Sequence, residues 1–347
     1  MSRHVRARQI CTQLLRGSST TSPPAALTLL NSRVVLQEQP FSRGEYQIRS
    51  YAAPRAPRVR KGGTSYAEVY TLEGITVGTF EEAVKMSGMF EALSVPQYYE
   101  IAQRFAEAIK HGSSPWSVRL LGQNRLSHKD LYEVGCIMRH IREPRSSQAF
   151  AVAMWASAAE MGSRPATISL ARQLIHSHAW GQKSQLRSVE ARFKQLVSEG
   201  KDPNVLTVEG EHLYELGKYD AAANMLRRAL ALDEKDFEWK SQCQLHLGKA
   251  YLKLKRPAEA REVFETISES GSAEADVELG QLLRSSDTEK AEQHLYTAAI
   301  NGKPEMFHHL SEIAFENMNK AADEQTRKDQ QRWAMEWSRL ADPKVQF

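Results

Sequence analysis

Leu247-Gly248-Lys249-Ala250-Tyr251-Leu252-Lys253-Leu254-Lys255-Arg256-Pro257-Ala258-Glu259-Ala260-Arg261-Glu262-Val263-Phe264-Glu265-Thr266-Ile267 reads as two short amphipathic helices joined at Arg256-Pro257. Leu247, Tyr251 and Leu254 fall at i, i+4 and i+7, and so do Ala260, Phe264 and Ile267. That spacing marks one apolar face on each helix. Pro257 suits a helix start, where its missing N–H costs nothing. Gly248 and Ala260 are small enough to let the two helices approach closely. The large residues then fill the gap to a neighbouring unit.

The pattern recurs on both sides. Upstream, Gly210, Leu213, Tyr219, Ala222, Leu226 and Ala229 take the corresponding positions, with Gly210 38 residues before Gly248. Downstream, Leu279-Gly280 and Leu283 lead to Ala291, Leu295 and Ala298, with Gly280 32 residues after Gly248. This last unit fits if one residue is dropped from its turn. Outside the repeat core, Thr79-Phe80-Glu81-Glu82 reads as a capping box, and Ser94-Val95-Pro96-Gln97 as another helix start. Pro165, Pro203, Pro257 and Pro304 fall at similar starts. Gly112, Gly162, Gly200, Gly217, Gly271 and Gly302 fall where a left-handed residue would close a helix.

Residues 203–270 resemble two tetratricopeptide repeats. Lys290-Ala291-Glu292-Gln293-His294-Leu295-Tyr296-Thr297-Ala298-Ala299-Ile300-Asn301-Gly302 resembles the SEL-one-like relative, and Ala151 to Gly162 resembles it again. The chain departs from the family where Leu206 and Gln244 replace a Trp, and where Glu234 and Ser272 replace a Pro. The resemblance covers roughly 125–318. It implies an all-α solenoid of antiparallel helix pairs, about twelve helices in all. The divisions are then a leader over 1–51, a linker over 52–63, an N-terminal helical cap over 64–124, repeats over 125–320, and a C-terminal capping helix and tail over 321–347. Trp333, Trp337 and Leu340 form one stripe on that last helix.

Charge is unevenly spread. Residues 1–61 hold eleven Arg and Lys against two acids, a net +9; the whole chain has 46 basic and 42 acidic residues, which leaves 35 and 40, a net −5. No acid occurs before Glu38, while Arg3, Arg6, Arg8, Arg16 and Arg33 are spaced through that stretch. This is the pattern of a mitochondrial transit peptide. Arg49-Ser50-Tyr51-Ala52 resembles a matrix processing site, with Ala52 as the new N-terminus. The expected localisation is the matrix. The acidic body argues against DNA and disfavours RNA. The longest apolar run, about Ala149–Ala159, is far short of the ~20 residues that span a bilayer.

The chemical motifs fail one after another. No glycine-rich phosphate loop, no His-Glu-x-x-His and no Gly-x-Ser-x-Gly is present. Cys136/His140 and Cys243/His246 stand at helical spacing, but each pair is half a metal site. His176/His178 and His308-His309 read as surface or packing residues. No catalytic residue, metal or cofactor is expected, and no enzyme.

What remains is the groove implied by the resemblance, which the first helix of each pair would line. It would present Thr207, Glu211, Tyr214 and Glu215 from one repeat, and Leu245, Lys249, Leu252 and Lys253 from the next. Such a mixed surface suits an extended or helical peptide. The family's clamp for a chaperone's C-terminal carboxylate is disfavoured, because its Lys and Asn positions hold other residues. In length and organisation the chain resembles a fungal matrix tetratricopeptide factor that helps export the tail of cytochrome oxidase subunit two. The expected role is an adaptor for a respiratory-complex subunit or its insertion machinery, peripheral on the inner membrane. The competing expectation is a mitoribosome-associated or translational-activator protein.

Overall fold

The computed structural model describes residues 66–88, 90, 92–119, 127–232 and 236–342. The expected leader and the cleavage residues Arg49, Tyr51 and Ala52 lie outside them. Among the described residues the fold is all-α, with no strand. A one-turn helix α1 (Tyr66–Val69) precedes fourteen longer helices, two more than the sequence pattern suggested. These are α2 (Val77–Ser87), α3 (Val95–Lys110), α4 (His128–His140), α5 (Ser146–Glu160), α6 (Arg164–His176), α7 (Arg187–Glu199) and α8 (Pro203–Glu215). They continue as α9 (Tyr219–Leu232), α10 (Lys240–Lys253), α11 (Pro257–Ser268), α12 (Ala273–Leu283), α13 (Thr288–Ile300), α14 (Met306–Lys320) and α15 (Glu324–Leu340).

Local chemistry sets the ends. Asp202 accepts the backbone N–H groups of Asn204 at 2.9 Å and Val205 at 3.3 Å, which starts α8 just before Pro203. The six glycines read as helix ends all have positive φ, from 62° at Gly200 to 98° at Gly112. The capping box expected from Thr79 is displaced. Thr76 is the cap of α2 and Thr79 its reciprocal partner, because the two hydroxyls serve each other's backbone N–H.

From α4 onward the helices pack as six antiparallel pairs: α4/α5, α6/α7, α8/α9, α10/α11, α12/α13 and α14/α15. In four pairs a glycine of the first helix lies against a large side chain of the second. A Cβ on Gly135, Gly210 or Gly280 would come within 2.7, 2.6 or 2.5 Å of Trp155, Leu226 or Leu295, and one on Gly248 would run into the Phe264 ring. The offset from glycine to large residue is 16 positions in α8/α9 and α10/α11 but 15 in α12/α13, the dropped residue anticipated above.

The N-terminal helices join the core of the first pair. Phe80, Tyr98 and Phe105 are fully buried in one cluster with Phe150 and Trp155. Tyr70 meets Phe150 edge-on at 5.5 Å, and the Tyr98 hydroxyl donates to Glu133 at 2.9 Å. At the other end the expected capping helix, α15, packs on α14 as the second helix of the sixth pair. Ser311 and Ser338 bond across that pair at 2.7 Å. The Trp stripe is only partly docked: Trp337 stacks on Phe307 at 5.5 Å, while Trp333 remains 52% exposed.

Candidate functional site: the first-helix face

The helices α6, α8 and α10 are the first members of three successive pairs, and they touch one another in order. Their contact line is polar. Glu211 on α8 has no exposed surface. Arg172 on α6 grips it side-on, donating from Nε to Oε2 and from Nη2 to Oε1, each at 2.7 Å. His176 Nε2 lies 3.0 Å from Oε2, and His246 Nδ1 on α10 lies 3.5 Å from Oε1. The Arg172 guanidinium also sits 4.8 Å over the Trp239 ring and reaches Gln242 Oε1 at 3.4 Å.

The electrostatics follow. Burial pushes the Glu211 carboxyl up, but Arg172, His246 and His176 together outweigh that and hold it well below the usual carboxylate range. Burial lowers His246, against the pull of Glu211. The Cys243 thiol is pushed up to about 12 by burial and donates to the Leu226 carbonyl at 3.3 Å, which leaves it unreactive. Cys136 and His140 are not an open half-site either. Cys136 is buried, and burial holds His140 down at about 4 beside Phe90.

These contacts revise the expected groove. Thr207 and Glu211 do not face a partner: both are buried, Thr207 donating to the Pro203 carbonyl at 2.8 Å. Leu245 is buried as well. The physical reason is the close approach of the first helices, which turns the centre of the expected groove into interior. Tyr214 is half-buried between Tyr219 at 5.4 Å and His246 at 6.1 Å. Lys249 pairs with Glu278 on α12 at 3.2 Å. Leu252 is half-buried, while Glu215 and Lys253 are exposed. The accessible edge therefore runs His176, Tyr214, His246, Lys249, Glu278, across four successive pairs.

Sequence reasoning missed Arg172, His176, Trp239, Gln242 and Glu278. A signal existed. Ala171, Gly210, Gly248 and Gly280 form one column of the repeat, so Arg172, Glu211 and Lys249 form the next, with alternating charge.

Residues 213–281, from the end of α8 into α12, match a family model described as tetratricopeptide repeat. That segment is a tetratricopeptide repeat region. Such repeats generally serve as scaffolds for contacts between proteins. Among solved structures, one reported as the functional characterization of Pseudomonas aeruginosa PilF is similar over 61% of this chain and 91% of that one, at 20% identity and a TM-score of 0.46. No curated protein matches the chain significantly.

Proposed function

We propose that this tetratricopeptide protein is a non-enzymatic adaptor of the mitochondrial matrix that receives a protein segment along its first-helix face. Its client is a subunit or insertion factor of a respiratory complex, cytochrome oxidase first among them. The observation that carries the binding mode is the edge from His176 to Glu278. It joins half-buried aromatic and imidazole rings to a charge pair, across four pairs that each add one step to an extended contact. The compartment rests on the acid-free, arginine-spaced first 37 residues and the Arg49-x-Tyr51 motif. No described helix is long and apolar enough to cross a membrane, and any membrane contact in this reading is peripheral.

Import of the labelled precursor into isolated mitochondria tests the first half. The expected result is cleavage after Tyr51, protection from added protease, and release from membranes by carbonate. Crosslinking and purification with and without nuclease tests the second. A respiratory-complex subunit or insertion factor retained after nuclease is expected; association with ribosomes that vanishes on nuclease treatment would refute the reading.

A further inference from the structure

We propose that Arg139 is an anion site at the head of the first-helix face, taking the carboxylate of an aspartate or glutamate side chain of the bound segment; this rests on the reading that the face receives such a segment. Arg139 lies in the last turn of α4 and is half-buried. Its Nη2 donates to Gln173 Oε1 on α6 at 3.1 Å, and its Nη1 donates to Gln148 Oε1 on α5. Gln148 is itself fixed, because its amide donates to the Ile141 carbonyl at 3.0 Å. The Arg139 Nε is buried and meets no acceptor among the described residues. Burial pulls the guanidinium below its ordinary value, and no carboxylate acts against it.

Among the described residues, every other arginine that is buried or half-buried reaches a carboxylate. Arg104, Arg164, Arg172, Arg192, Arg261 and Arg284 do so at 2.5 to 3.0 Å. Arg139 instead holds a partly desolvated charge against neutral amides, which fix its plane without compensating it. The turn that follows adds Arg142 and Arg145, both exposed, so residues 139–145 set three arginines against Glu143, a net +2. The occupant that meets this charge is an anion. A carboxylate offers two coplanar oxygens to a guanidinium. A phosphate would set further oxygens against the two amide acceptors. Position joins the site to the face. Gln173 and His176 are one turn apart on α6, so Arg139 continues the edge from His176 by one more pair.

The test is fluorescence anisotropy of the full chain with a labelled decapeptide of alternating Ser and Glu, blocked at both ends, and with its Ser-Gln isostere. The glutamate peptide is expected to bind at roughly tenfold lower concentration, the ratio that one charge-assisted contact gives. Arg139→Gln should remove most of that preference. Gln173→Glu should remove it as well and raise the melting temperature, because the new carboxylate compensates a cation that is already buried. Glutarate should displace the glutamate peptide at lower concentration than inorganic phosphate does. A preference that survives both variants, a lowered melting temperature in Gln173→Glu, or stronger displacement by phosphate overturns the site. If a client is still captured from mitochondria in that case, the adaptor reading survives alone. Arg139-dependent binding with no protein captured would leave the site standing and remove the adaptor.

Discussion

Glu211 is a charge sealed inside a helical array and compensated chiefly by Arg172, so its removal is the sharpest probe of a single side chain. Breaking one partner of a buried pair leaves the other uncompensated, at a cost of roughly 3–5 kcal/mol. We predict that Glu211→Gln lowers stability by that order in denaturant unfolding. Arg172→Met with Glu211→Leu should recover much of the loss, because no orphan charge remains. The pH dependence has a definite sign. Glu211 is depressed in the folded state, so its contribution is complete above the unfolded carboxyl value of about 4.3 and is lost as pH falls below it. His246 is also depressed, so protonation of the unfolded chain costs stability as pH drops beneath about 6.5. Wild-type stability should therefore fall steadily from about pH 6.5 downward, and the gap to Glu211→Gln should narrow only below about pH 4.3. None of this network was read from the sequence, since Arg172 and Glu211 are 39 positions apart and either residue alone looks like a solvated helix face.

Between helices, contact is set by the glycine column, and here the sequence was legible. A small residue every 32 to 38 positions, answered 15 or 16 later by Leu or Phe, is a local signal that survives any uncertainty about surface residues. Gly135 facing Trp155 escaped notice because its partner lies 20 positions on, outside that rhythm. We predict that Gly248→Leu destabilises the protein by at least 1–3 kcal/mol, the usual cost of overpacking, because the Phe264 ring has nowhere to go. A thermal melt that matches wild type would mean that α10 and α11 are misaligned. Lys249→Glu sets a second carboxylate against Glu278 across α10 and α12. Its effect on stability should stay below about 1 kcal/mol, as for partly exposed pairs, and be reversed by Glu278→Lys in the double mutant.

The described helices couple neighbour to neighbour, as repeat arrays do. The buried polar line spans α6, α8 and α10, so damage at Glu211 should spread to two flanking pairs yet spare α14/α15; hydrogen exchange resolved by peptide would show it. The architecture was legible because each pair repeats the same packing problem. The binding edge was only half legible. Tyr214, Lys249 and Leu252 keep some exposure, whereas Thr207, Glu211 and Leu245 are taken inside by helix contacts that no single repeat reveals. The most direct test replaces Tyr214, on the first-helix face, and Tyr296, exposed on α13, one at a time with a photo-crosslinking residue and illuminates intact mitochondria. The account predicts a nuclease-resistant crosslink to one protein from Tyr214 and none to that protein from Tyr296. A crosslink from Tyr296 alone, or to RNA from either position, would contradict it.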